Sequence, residues 1–154
     1  MGEPGKKLYL EDLAVGQTFR SVSQPVTAAD IKRFASQFDP QPFHLDEHQA
    51  RQTFFQGLVA SGWHTTALAM RLLVESVPFA GGIVGTAIEE LRWLKPVRPD
   101  DVLRLETAIL DIPAGQRSRG VVKIKSATLN QRDEPVQVLT ATLLVSRRSE
   151  HPPE

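Results

Sequence analysis

The sequence predicts an α+β layer fold in which an antiparallel sheet curls around one long buried helix. Two observations carry this. The stretch SGWHTTALAMRLLVESVPFAGG, residues 61–82, places apolar residues on almost every side of a helix, so that helix needs cover all round. Downstream, four β-type runs near 84–94, 101–111, 120–130 and 135–146 are separated by the turn-forming stretches KPVRPDD, PAGQR and QRDEP. Consecutive antiparallel strands of this kind are able to supply the cover.

The elements follow in chain order. In TAADIKRFASQF, Thr27 is placed to cap a helix with Asp30 three residues on, and Ile31, Phe34, Ala35 and Phe38 share one face. That helix must end near Asp39, because Pro40 drives its predecessor out of the helical region and Pro42 does the same to Gln41. The segment between is extended or turned. A second short helix is predicted from Asp46, with Gln49 at the box position, to about Thr53. Ser61 caps the long helix, and Pro78 with Gly81 and Gly82 ends it. Leu103, Leu105, Thr107 and Ile109 alternate with Arg104 and Glu106, giving one buried and one wetter strand face. The last strand, VQVLTATLLV, is apolar on both faces, which points to packing on the helix and on a second surface such as another subunit.

A chain of 154 residues fits one domain, here 1–148, with SRRSEHPPE holding a frayed, disordered tail over 149–154. Lys+Arg and Asp+Glu number 18 each, so no global field attracts nucleic acid or an anionic membrane. The absence of cysteine excludes disulfides, thiolate nucleophiles and cysteine-ligated metals, and suits a reducing cytosol. No apolar run has the length of a signal peptide or a membrane span, so a cytoplasmic protein is expected.

Chemistry concentrates between residues 39 and 64. FDPQPFH puts the Asp39 carboxylate and the His44 imidazole five positions apart on a proline-stiffened segment, and Gly62 opens the long helix. A helix N-terminus exposes N–H groups and partial positive charge, and a glycine there lets a ligand approach the backbone. Moving water across a double bond conjugated to a carbonyl needs a base, an acid and a stabilised enolate oxygen. Asp39, His44 and the Gly62 amide are able to supply the three.

The stretch DPQPFH resembles the D-x-N-P-x-H signature of the MaoC-like dehydratases, the family of (R)-specific enoyl-CoA hydratases. YLEDLAVGQTF, FFQGLVASGWHT and LKPVRPDDVLRLE are similar to that family's opening, pre-helix segment and later turn and strand. The resemblance implies the hotdog fold, a sheet wrapped around a central helix, and a homodimer or dimer-based higher oligomer built by joining sheets. It implies that Asp39 and His44 hold the catalytic water, Asp39 as base and His44 as proton donor, with the Gly62 amide as oxyanion donor. Ser61 and Gln41 complete the implied binding set. The implied substrate is an acyl-coenzyme A thioester, without metal or redox cofactor, nucleic acid or membrane partner. Three positions depart from the pattern: Gln41 replaces an Asn, Phe38 a common Gly, and Ser61-Gly62 a frequent His-Gly. Gln41 keeps an amide of longer reach, whereas Ser61 removes an imidazole from the site mouth.

Plainer readings stand beside these. Asp39 alone reads as a turn residue bonding the nearby backbone, His64 as a hydrogen-bonded core histidine, and Ser61 as a helix cap. His44 and His48 have the i,i+4 spacing of metal ligands, but that pattern needs one continuous helix and Asp46 looks like a cap inside it. Trp63 and Phe43 line either an acyl tunnel or the core. Lys95, Arg98 and Arg92 flank a turn where coenzyme phosphates would pass, and solvated surface explains each of them as well. A hydro-lyase, a thioesterase of the same fold and a non-catalytic acyl-binding sleeve all remain open at this point.

Overall fold

The computed structural model describes residues 5–114 and 119–148. The expected tail, residues 149–154, and part of the PAGQR turn lie outside the described residues. Helix α1 spans Ala28–Phe38, and the Thr27 side chain accepts a hydrogen bond from the Asp30 N–H at 3.1 Å, a cap that contributes about 1 kcal/mol. It buries Ile31 and Ala35 and ends at Asp39, whose backbone leaves the helical region before Pro40.

The segment expected to be extended or turned up to Asp46 contains a single helical turn, α2, Pro42–Leu45. Gln41 is extended as predicted, but Pro42 sits at the start of the turn, where its missing N–H costs nothing and its fixed φ favours a helix. A second turn, α3, Glu47–Ala50, follows, with the Asp46 carboxylate accepting from the Gln49 N–H at 2.8 Å. Helix α4, Gly62–Ser76, is capped by Ser61, whose Oγ accepts from the Trp63 N–H at 3.2 Å.

Four long strands follow: β3 Val84–Trp93, β4 Val102–Asp111, β5 Arg119–Leu129 and β6 Pro135–Ser146. Two short strands precede them, β1 Thr18–Arg20 and β2 Gln24–Pro25, and both pair antiparallel with β4. Neither was legible in the sequence, being too brief for a period of two to show. The sheet order is β1-β4-β5-β6-β3, with β2 also on β4. On β4, Leu103, Leu105, Thr107 and Ile109 are buried and alternate with half-buried residues, as the pattern required.

The inner face of the sheet packs on α4. Ala69, Leu72 and Leu73 join Leu105, Ile109, Ile124, Ala141 and Leu143 in one core cluster. A second cluster, around Val26, Ile31, Ala50, Leu58, Val97 and Val136, ties α1 and α3 to the other end of the sheet. Burying each such Leu, Ile or Val side chain contributes on the order of 2 kcal/mol.

Two expectations change. The cover of α4 is partial, for Trp63, Met70 and Val74 remain exposed along one stripe of the helix. And the strand left open is β3, not β6. The last strand is hydrogen-bonded on both sides, to β5 and β3, whereas β3 has no partner beyond it among the described residues and exposes Val84, Ile88 and Trp93.

Candidate active site

The prolines of FDPQPFH bend the chain so that α1 ends and α2 begins within three residues, and this turns two side chains toward each other. Asp39 Oδ2 lies 3.2 Å from His44 Nε2. The His44 ring is buried, and its other nitrogen, Nδ1, is 2.6 Å from the Val59 carbonyl oxygen. A carbonyl only accepts, so Nδ1 carries a hydrogen and Nε2 is the nitrogen free to exchange a proton. The Val59 N–H in turn donates to the Phe43 carbonyl at 3.0 Å. The loop before α4 and the turn α2 therefore hold each other in two places, and the ring cannot rotate without breaking a buried bond.

Asp39 is supported from three sides. Burial pushes its carboxyl pKa upward, but the Ser61 hydroxyl, the Gln41 amide and the His44 ring together outweigh this and hold it below the ordinary value. Gln41 Nε2 donates to Asp39 Oδ1, and the Ser61 hydroxyl, whose Oγ caps α4, helps hold the same carboxylate in its charged form. Ser61 is only 1% exposed. It is buried and not at the site mouth, and its cap hydrogen bond holds it at the first turn of the helix. Gln41, expected among the substrate contacts, spends its amide on Asp39.

Gly62 is the first residue of α4, and its N–H has no protein acceptor among the described residues. The indole of Trp93 lies against it: a Cβ at position 62 would be 2.5 Å from Trp93 Cε2. Only glycine leaves room for both. His44, Gly62, Thr65 and Trp93 line one recess of about 390 Å³, together with Phe43, Phe55 and Val136 among others. An imidazole and an uncommitted helix N-terminal N–H thus share one small space, and a carboxylate lies 3.2 Å from that imidazole. Trp93 and the Val59 carbonyl are the contributors that sequence reasoning missed.

The remaining expectations resolve by position. His44 and His48 lie on separate turns, and Asp46 is committed to capping the second. His64 is buried and stacked on Phe34 with ring centroids 4.9 Å apart, but its Nδ1 has no hydrogen-bond partner among the described residues. Phe43 packs against the second core cluster and lines the recess, whereas Trp63 is 57% exposed. Lys95 pairs with Glu134, Arg92 with Glu90, and Arg98 donates to the Phe55 carbonyl at 2.9 Å.

A six-stranded antiparallel sheet laid around one long helix is the hotdog fold, and here a carboxylate and an imidazole meet beside that helix's first turn. The chain belongs to the MaoC like domain family, whose profile matches residues 12–131. A MaoC-like dehydratase from Rhodospirillum rubrum has a crystal structure that superposes with a TM-score of 0.87 at 55% sequence identity, covering 92% of this chain and 98% of that one. The uncharacterised protein YdeM of Bacillus subtilis is 34% identical over 141 residues, 91% of this chain and 100% of its own length. A 3-hydroxybutyryl-CoA dehydratase of Methylorubrum extorquens is 30% identical over 148 residues, 95% of this chain and 89% of its own.

Proposed function

We propose that this protein is a hydro-lyase that adds water to a 2-enoyl thioester, or removes it from an (R)-3-hydroxyacyl thioester, with coenzyme A as the thiol. The observation that carries the reading is the 3.2 Å approach of Asp39 Oδ2 to His44 Nε2, His44 being a residue that lines one recess with Gly62. Family membership and the named dehydratase relative support it.

In the hydration direction, a water held between Asp39 and His44 attacks C3 and loses a proton to the Asp39 carboxylate. His44, starting the cycle with a proton on Nε2 as well as on Nδ1, delivers the Nε2 proton to C2 and regains one from Asp39 across their 3.2 Å approach. Charge passing through the thioester oxygen is met by the Gly62 N–H and the positive end of α4. The lowered pKa of Asp39 keeps it ionised, as a base must be, throughout the neutral range. Val59 fixes the imidazole orientation, so its proton leaves and returns on the substrate side. The reaction as written calls on no metal or redox cofactor.

The assembly we propose is a homodimer joined along β3, in the cytoplasm. β3 is an open edge, and the exposed Ile88 beside the Trp63, Met70 and Val74 stripe of α4 forms an apolar surface that a second copy would cover. No helix of the described residues is long and apolar enough to cross a membrane.

The test is the loss of enoyl absorbance from crotonyl-coenzyme A. Wild type should be active, and Asp39→Asn and His44→Ala should each lower kcat about a thousandfold. An inactive wild type that instead releases free thiol from a saturated acyl-coenzyme A would replace this reading with a thioesterase.

A further inference from the structure

Next to the recess lies a second, larger cavity of about 670 Å³ between α4 and the sheet, lined by apolar residues including Met70, Leu73, Ile88, Leu139 and Ala141. Among the described residues, none lines both spaces. The boundary runs between Gly62 and Thr66 on α4 and between Val136 and Gln137 on β6, and one side chain stands across it. The six-membered ring of Trp93 lies on Gly62 in the recess. Its indole N–H donates to Gln137 Oε1 at 3.0 Å and to Thr66 Oγ1 at 3.3 Å, and both of those residues line the cavity.

The latch that holds the indole is unusual in its setting. Trp93 and Gln137 are direct partners in the β3–β6 register, so their side chains emerge on the same face of the sheet. Gln137 is 1% exposed in a sheet face made of Leu139, Ala141, Leu143 and Val145. An amide there is costly unless bonded. Its oxygen accepts from both Trp93 and Thr66, the latter at 2.8 Å, while Thr66 is anchored one turn back on the Gly62 carbonyl at 2.9 Å. Trp63 meets the indole edge-on, with centroids 5.2 Å apart. The ring is held on its face, at its N–H and at its edge.

We propose that Trp93, latched by Gln137 and Thr66, is the specificity wall of the site: it confines the acyl group to the catalytic recess, so the substrate class is short-chain 2-enoyl or 3-hydroxyacyl thioesters. The inference rests on the acyl-thioester reading of the recess. With the thioester oxygen at the Gly62 N–H and C3 beside His44, the carbons beyond C3 either stop against Phe43, Phe55 and Val136 or must pass the indole. A longer chain reaches the apolar cavity only by breaking both indole hydrogen bonds. The cavity is therefore space that the reaction does not use while Trp93 is in place.

The experiment is calorimetric binding of saturated butyryl- and decanoyl-coenzyme A, which needs no turnover. Trp93→Ala should lower the decanoyl to butyryl Kd ratio at least about tenfold, and Gln137→Leu, which removes the latch but keeps the volume, should lower it by less. Ala141→Leu, inside the cavity and away from the wall, should leave both wild-type affinities unchanged and cancel the gain of Trp93→Ala. The wall is overturned if Trp93→Ala leaves the ratio unchanged, if Ala141→Leu in otherwise wild-type protein weakens decanoyl binding, or if wild type binds neither thioester. The Ala141→Leu result stands even where Trp93→Ala does not fold. Failure of the hydratase reading shows differently, as intact acyl-coenzyme A binding with no hydration of any enoyl thioester.

Discussion

The catalytic recess and the apolar cavity lie on either side of Trp93, one turn of α4 apart, yet their walls are made in different ways. In the recess, Asp39 has three partners, His44 is pinned through Val59, and the Gly62 N–H is left uncommitted. Away from the Thr66–Gln137 latch, the cavity is bounded mainly by apolar side chains that have only packing to hold them, and Met70 and Ile88 on its rim are exposed. Positioned polar groups fix geometry to fractions of an ångström, which acid–base chemistry needs. Apolar walls tolerate changes of shape, which suits a space that sets limits on size or receives a partner surface.

The largest effect should come from treating the pair as a unit. If Asp39 and His44 share one water, Asp39→Asn/His44→Ala should lose no more kcat than either single variant, about a thousandfold, in the crotonyl-coenzyme A assay. Fully multiplicative losses would mean the two act in separate steps. Next in size is Gly62→Ala. The added methyl would meet the Trp93 ring at 2.5 Å, so the indole has to leave, taking the oxyanion geometry with it. kcat should fall by on the order of tenfold or more, and Trp93 fluorescence, read in a Trp63→Phe background, should shift as its N–H loses Gln137. An unchanged emission would detach Gly62 from the wall.

These two tests bear on parts of the molecule that were unequally legible. α1, α4 and the four long strands lie where capping residues, prolines and apolar periods placed them, because each of those signals acts within a few residues. The approach of Asp39 to His44 was legible for the same reason, since both sit inside one seven-residue stretch with a proline on either side of Gln41. Gly62 was reached through the capping logic at Ser61. Trp93 was not. An aromatic at the end of a strand has the look of core, and its position over Gly62 depends on the pairing Trp93 to Gln137, a long-range register that no local period encodes. The Val59 carbonyl has no side-chain signature at all. Ser61 read correctly as a cap, but its second bond, to Asp39, needed the fold of the intervening residues.

Ser61→Ala tests that second bond. Losing the cap should cost about 1 kcal/mol, a fall in Tm of about 2–4 °C by calorimetry. Losing the hydroxyl from Asp39 removes one of the groups that hold its pKa down, so the carboxylate takes up a proton at higher pH than before. The acid limb of the kcat/KM profile should move upward while the alkaline side stays where it is. An unmoved limb with a lowered Tm would leave Ser61 as a cap and nothing more.

The smallest effect belongs to His64, behind the recess and stacked on Phe34. Burial holds its pKa below the ordinary value; Asp30 pulls upward, and Arg33 and His44 add to the lowering. As the pH falls, the unfolded chain is therefore protonated first, so the stability associated with a neutral His64 is intact above about pH 6.5 and is lost progressively below it. Asp39 and Glu47 have lowered carboxyl pKa values, and their contribution disappears only nearer pH 4, outside this window. His64→Phe keeps the ring on Phe34, removes the titration and removes a buried nitrogen that has no partner. Between pH 7.5 and 5.5 the wild-type Tm should drop more than that of the variant, by on the order of 1 °C, with hydration activity at pH 7.5 unchanged. Equal slopes would show that His64 stays neutral across the window or is hydrated when charged. A loss of activity at pH 7.5 would carry the acid–base site one turn further into α4 than Asp39, His44 and Gly62 require.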